Sequence, residues 1–226
     1  MVDRRSSDES LPSKVARRIG ATPGIARRRR EIAMPTTTQN AHEIAREVAQ
    51  ARARIRVRPP NAQIVRPEVG QESVWDYPRP PRVEFAGEKV IVAFDGTTIA
   101  ETGDAIRVIE TAGAPVIYIA ERDLVAGELR RTCEWTLCEW KGVHYYYDLA
   151  LGDRVARRVG WSFPDPFVDL AQGYERLRGR IAFYPNRLVC TLGGEIACAQ
   201  PGGYYGGWVT SRVVGPFKGN PGSEGW

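Results

Sequence analysis

Residues 71–226 of this 226-residue chain are predicted to form one all-β domain, of a sandwich or barrel-like kind. Three observations predict it. Between Val83 and Cys198 the apolar residues fall in short runs, many of them alternating with polar residues, the period of a half-buried strand. Turn signals separate these runs at intervals of about 8–12 residues, the spacing of all-β folds. The dipeptide Asp95-Gly96 stands between two such runs as a hairpin turn.

The first strands are expected at Glu88–Phe94 and, after Asp95-Gly96, at Thr97–Ala100. Alternation then predicts strands at Ile106–Glu110 and Val116–Ala120, followed by a helical or irregular connection over Glu121–Leu129. Val143–Leu149 and Val155–Trp161 read as a strand pair around the turn Leu151–Arg154. Pro164-Asp165-Pro166 breaks regular structure, and a brief helix is expected over Phe167–Tyr174. Arg180–Tyr184 and Leu188–Leu192 form the last clear pair before Gly193-Gly194 turns the chain towards Cys198. From Gln200 the Gly- and aromatic-rich sequence predicts an ordered, irregular tail lying on the domain. Ahead of the strands, the proline-rich segment Glu72–Pro81 is expected to run extended along the surface, anchored by Trp75 and Tyr77.

Residues 1–70 form a separate basic arm. Residues 1–66 carry fifteen Lys/Arg against six Asp/Glu, net +9, and the remainder of the chain is net −4. The basic isoelectric point therefore belongs to the arm, and nucleic acid is a partner only through residues 1–66. Residues 1–40 lack a sustained apolar period and are expected to be disordered, with Arg27–Arg30 as a solvated basic run. Met34 is a candidate start of the native chain. Ile44, Val48, Ala51 and Ile55 recur at helical spacing, predicting a marginal helix over 40–57, with Asn40 as N-cap and Pro59-Pro60 as its stop.

No apolar run reaches the ~20 residues that cross a bilayer, and no secretory core follows Met1, so a cytoplasmic protein without membrane contact is expected. The four cysteines, Cys133, Cys138, Cys190 and Cys198, are expected as free thiols.

The ordered motifs Glu72–Pro80, Arg107 with Glu110, Tyr118, Cys138–Gly142, Tyr146-Tyr147, Trp161–Pro166 and Ala182–Pro185 are specific. In them the chain resembles the bacterial domain-of-unknown-function family 427, also labelled nucleotidyltransferase family 9, over about residues 71–226. The tail from Gly202 resembles the extension of actinobacterial-type members. The resemblance implies a β-tent-like fold with a concave pocket. Ala120 stands where members often carry Pro, and the first 70 residues match nothing in the family. No Gly-Ser pair followed by an Asp-x-Asp, the pattern of polymerase-β-like transferases, is present.

Zinc, used by β-tent relatives, needs two short cysteine pairs, and the spacing between Cys190 and Cys198 lies outside a zinc knuckle, so no cofactor is expected. Cys138 as a nucleophile needs a cation beside it, and His144 among tyrosines reads as a packed, hydrogen-bonded residue. The favoured constellation is Arg107, Glu110, Lys141 and Trp161 with Tyr118, Tyr146 and Tyr184. Lys141 offers an ammonium to a phosphate or carboxylate, and the aromatic faces offer stacking to a planar ring. Glu110 closes an apolar strand, where burial raises a carboxyl pKa towards an acid/base role. The alternative is an ion pair of Glu110 with Lys141 or Arg107 inside an aromatic core. Three readings follow: a small anionic or nucleotide-like ligand bound in an aromatic-lined pocket, a small enzyme using Glu110 and Lys141, or an interaction module with an Arg-rich arm.

Overall fold

The computed structural model describes residues 38–54, 62–223 and 226. The run Arg27–Arg30, the candidate start Met34, Ile55 and the stop at Pro59-Pro60 lie outside the described residues. One helix, α1 (Thr38–Arg52), precedes the strands. It starts two residues ahead of Asn40, which therefore sits inside the helix and not at its N-cap. Val48 is buried, Ile44 and Ala51 are half-buried, and the other described faces of the helix are exposed. The helix ends on Arg52, which anchors it. Arg52 Nε donates to the Glu139 carbonyl (2.6 Å), its guanidinium pairs with Asp169, and it lies 5.7 Å from the Trp140 ring centre and 5.6 Å from that of Phe167.

The chain then runs through β1 (Glu72–Ser73), β2 (Arg82–Phe85), β3 (Val90–Phe94), β4 (Thr97–Thr102) and β5 (Ile106–Glu110). It continues with β6 (Gly113–Ala120), β7 (Glu128–Cys138), β8 (Gly142–Leu151), β9 (Arg154–Ser162) and β10 (Arg180–Phe183). Last come β11 (Val189–Leu192), β12 (Glu195–Ile196), β13 (Cys198–Ala199), β14 (Trp208–Val209) and β15 (Val213–Val214). The domain is all-β. Asp95 and Gly96 take φ of 46° and 78°, the left-handed pair that a tight hairpin between β3 and β4 requires. Two expectations differ. Phe167–Tyr174 forms bends, with only a single 3-10 turn over Tyr174–Leu177, because the prolines and glycine around it deny a helix its hydrogen bonds. Residues 128–129, expected in a connection, instead open β7, which reaches Cys138.

A seven-stranded antiparallel sheet has the order β2-β5-β6-β10-β9-β8-β7, and a four-stranded sheet the order β12-β11-β3-β4. The main core fills the space between them, with Val92, Ile99, Ile117, Ile119, Leu149, Ile181 and Phe183 fully buried. A second cluster lies on the other face of the larger sheet and includes Val108, Tyr118, Trp161, Phe163, Tyr174 and Leu177. Alternation explains the split: Ile117 and Ile119 face the main core, and Tyr118 between them faces away.

The ends of the domain hold each other. β1 pairs in parallel with β15, joining Glu72 to Val213 and Ser73 to Val214. Trp75, expected as an anchor of the extended segment, donates from Nε1 to the Pro216 carbonyl (2.9 Å), and Tyr77 is buried. The tail is ordered: Trp208 is 1% exposed, and its Nε1 donates to the Phe183 carbonyl (3.0 Å). All four cysteines are free thiols, and among the described residues no group of three His, Cys, Asp or Glu side chains is placed to hold a metal. No helix among the described residues is long and apolar enough to cross a membrane.

Candidate functional site

Strand register builds the site. Ile106, Tyr118, Ala182, Trp161 and Tyr146 are successive cross-strand partners on β5, β6, β10, β9 and β8, and together they form one transverse row on the outer face of the larger sheet. The smallest member, Ala182, stands between Tyr118 and Trp161. It leaves room for Trp161 Nε1 to donate to the Tyr118 hydroxyl (3.1 Å) across the gap. Tyr184 packs against Trp161 in a tilted arrangement, with ring centres 4.6 Å apart. Thus Tyr118, Tyr146, Trp161 and Tyr184, named from the sequence, share one buried aromatic cluster. Burial pushes the Tyr118 and Tyr184 hydroxyls far above their ordinary pKa, so both stay protonated.

Glu110 ends β5 after a register shift that sets it opposite Gly113. Its carboxylate meets Lys218 Nζ at 3.0 Å and Arg79 Nη2 at 3.2 Å. Lys218 is 6% exposed. Its backbone N–H donates to the Ala112 carbonyl (2.7 Å), and its carbonyl accepts from Gln200 Nε2 (2.9 Å). The sequence expectation of a raised carboxyl pKa is reversed. Burial does push it up, but Lys218, Lys141 and Arg79 together outweigh burial and bring it down to about 2. Glu110 is therefore an ionised carboxylate at neutral pH.

Lys141 closes the turn between β7 and β8, its carbonyl accepting from the Phe167 N–H (3.1 Å). Burial opposes its charge, but the Cys138 thiol and the Glu110 carboxylate outweigh that and hold the ammonium protonated, above the ordinary lysine range. It is partly buried, yet among the described residues no carboxylate lies within ion-pair distance of it. Glu110 acts on it from beyond that distance.

Arg107 is placed elsewhere. As the cross-strand partner of Glu84, it binds Glu84 through Nη2 (2.9 Å) and Glu72 through Nη1 (2.9 Å), and Tyr77 Oη donates to Glu72 (2.7 Å). Positions 107 and 110 are an odd number of residues apart, which sends their side chains to opposite faces. His144 is 8% exposed, with Nε2 3.1 Å from the Tyr146 hydroxyl and its ring packed on Phe163 at 5.0 Å. Burial first, then Lys141 and Arg158, lower its pKa to about 3, so the imidazole is neutral. Its Nδ1, Trp140 Nε1 and Arg79 Nε are buried with no hydrogen-bond partner.

The sequence reading missed Arg79 and Lys218, the direct partners of Glu110. Each is a lone cation in a Pro- or Gly-rich segment, which is the only signal either gives. It also missed Gly206, whose missing side chain matters: a Cβ there would lie 2.1 Å from Cη2 of Trp161.

Fold and site define a class, an all-β domain whose larger sheet carries an aromatic row leading to a set of interior charges. Residues 82–192 match the family model described as "Domain of unknown function (DUF427)". No curated protein matches the chain. Glu110, Tyr118, Lys141, Tyr146, Trp161 and Tyr184 lie inside the matched stretch, and Arg79 and Lys218 lie outside it.

Proposed function

We propose that the chain binds a small anionic ligand with a planar or nucleotide-like body, anchored on Lys141 beside the aromatic row. The observation that carries this reading is Lys141 itself, a partly buried ammonium with no direct carboxylate among the described residues. Removing a cation from water favours an anion beside it, and the carboxylate that acts on Lys141 from a distance, Glu110, is already shared by Lys218 and Arg79. The unpartnered donors Trp140 Nε1 and Arg79 Nε add to the call for an acceptor. Glu110, ionised throughout the physiological range, acts as a fixed charge and not as a proton carrier.

The full chain, titrated with benzoate and nicotinate under tryptophan fluorescence and thermal melting, tests the reading. At least one probe should raise Tm. Lys141→Met should abolish that response and leave the ligand-free Tm within about 2 °C of the parent, since no direct ion pair is lost. No response to any probe, or a response that survives in Lys141→Met, rules the reading out.

A further inference from the structure

A separate feature of the larger sheet concerns two irregularities that flank one strand. The β7–β8 register shifts between Arg131 and Trp135, and the β8–β9 register shifts between Tyr147 and Leu149. Both outer strands therefore bulge beside the same part of β8. Bulges re-aim side chains, and they are over-represented beside functional sites.

Here the re-aimed residue is Arg158. Its φ of 50° is left-handed, a conformation that a non-glycine residue seldom takes. Asp148 holds it there. This carboxylate, 12% exposed, accepts from the Arg158 backbone N–H (2.8 Å) and from Arg157 Nη1 (2.5 Å). The Arg158 guanidinium consequently lies over the Tyr146 ring, 3.9 Å from its centre, with Nη1 bonded to Glu134 (2.9 Å). Glu134 lies in the β7 bulge, so each irregular strand supplies one half of this arrangement.

Arg158 forms one wall of a surface depression of about 310 Å³ that is also lined by Tyr184, Asn186, Arg187 and Tyr204. Arg187 is exposed, and among the described residues no carboxylate pairs with it. The depression therefore holds two guanidinium groups against the single carboxylate Glu134. Two phenol rings, Tyr184 and Tyr204, are among its lining, and Tyr204 is 48% exposed. Nothing lies within 4 Å of where a Cβ of Gly203 would stand, so the glycine side of the depression is open.

We propose that this depression is a second binding site, distinct from Lys141, for a phosphate monoester carried on a planar group. Arg158 and Arg187 take the phosphate oxygens, and Tyr184 and Tyr204 flank the ring. A fixed, planar guanidinium suits the paired oxygens of a phosphate, which gives a reason for a held bulge where an ordinary strand position would leave the side chain free. The volume exceeds what a bare phosphate needs and falls at the small end of the range for ligand clefts.

Isothermal titration of the full chain with phenyl phosphate and with inorganic phosphate tests this. Phenyl phosphate should bind, and inorganic phosphate should bind about tenfold more weakly because it forgoes the ring contacts. Arg187→Gln, an exposed change that leaves the fold intact, should weaken phenyl phosphate by at least about tenfold. Arg158→Lys keeps the charge but loses the planar fork, and should weaken it as well. Lys141→Met should leave the Arg187-dependent part of this binding in place. If phenyl phosphate fails to bind, or binds Arg187→Gln as tightly as the parent, the proposal is overturned. Loss in Lys141→Met with retention in Arg187→Gln would also overturn it and would assign the ligand to Lys141. A benzoate or nicotinate response without phenyl phosphate binding leaves the Lys141 reading standing alone.

Discussion

Glu110→Gln is expected to cost the fold about 3 kcal/mol at neutral pH, because it strips the buried Lys218 of its counter-charge. The pKa gives a similar figure: a carboxyl lowered from its ordinary value to about 2 represents about 3 kcal/mol of linked stability. The sign follows from the direction. A depressed folded-state pKa stabilises the protein above the unfolded value of about 4.3, and the contribution disappears as pH falls towards 2. Guanidinium unfolding at pH 7 should therefore show the full loss in Glu110→Gln, and the gap between variant and parent should shrink as the pH is taken below 4. A gap that stays constant with pH, or a variant as stable as the parent at pH 7, would show that the cluster contributes nothing to the fold.

Gly160→Ala should be as damaging, for a steric reason. A Cβ at this position in β9 would stand 2.2 Å from the Ala182 carbonyl oxygen and 3.3 Å from Cδ1 of Phe183. The obstacle is the backbone of the neighbouring strand, which cannot swing aside without breaking the pairing that aligns Trp161 with Ala182. The cost should reach the upper end of overpacking effects, about 3 kcal/mol, or roughly 6–12 °C in Tm for a chain of this size. Gly103→Ala is the matched control, with nothing within 4 Å of its Cβ, and should melt with the parent. Equal melting of Gly160→Ala and Gly103→Ala would mean that β9 and β10 are not packed as described.

The strands were legible in the sequence because each depends on local pattern. Val90–Phe94, Asp95-Gly96 and Thr97–Ala100 carry alternation and turn chemistry within a dozen residues, and the observed hairpin follows them. The aromatic row was legible by residue type, since Tyr118, Tyr146 and Trp161 are large groups on predicted strands. Its alignment depends on register between strands far apart in the chain, which no local pattern records. The partners of Glu110 were hidden for the same reason. Lys218 reaches it from the other end of the domain, and Lys141, nearer in sequence, stops short of contact. Arg107 misled because closeness in sequence along a strand separates faces. The bulges that turn Arg158 onto Tyr146 left no composition signal, since Asp148 and Arg158 look like ordinary exposed strand residues until their backbone is seen.

The clasp between β1 and β15 bears on how the chain is made. Glu110 and its strand leave the ribosome long before Lys218 exists, and Glu72–Ser73 must wait for Val213–Val214. At typical synthesis speeds of 5–20 residues per second, the interval between residues 110 and 218 is roughly 5–20 seconds. Through that interval the nascent sheet carries an anion whose closest cation has not been translated, and its first strand has no partner. Completion is a late event, deferred until the glycine- and aromatic-rich end emerges. A message truncated after the family-matched stretch would hold the newborn protein in that unfinished state.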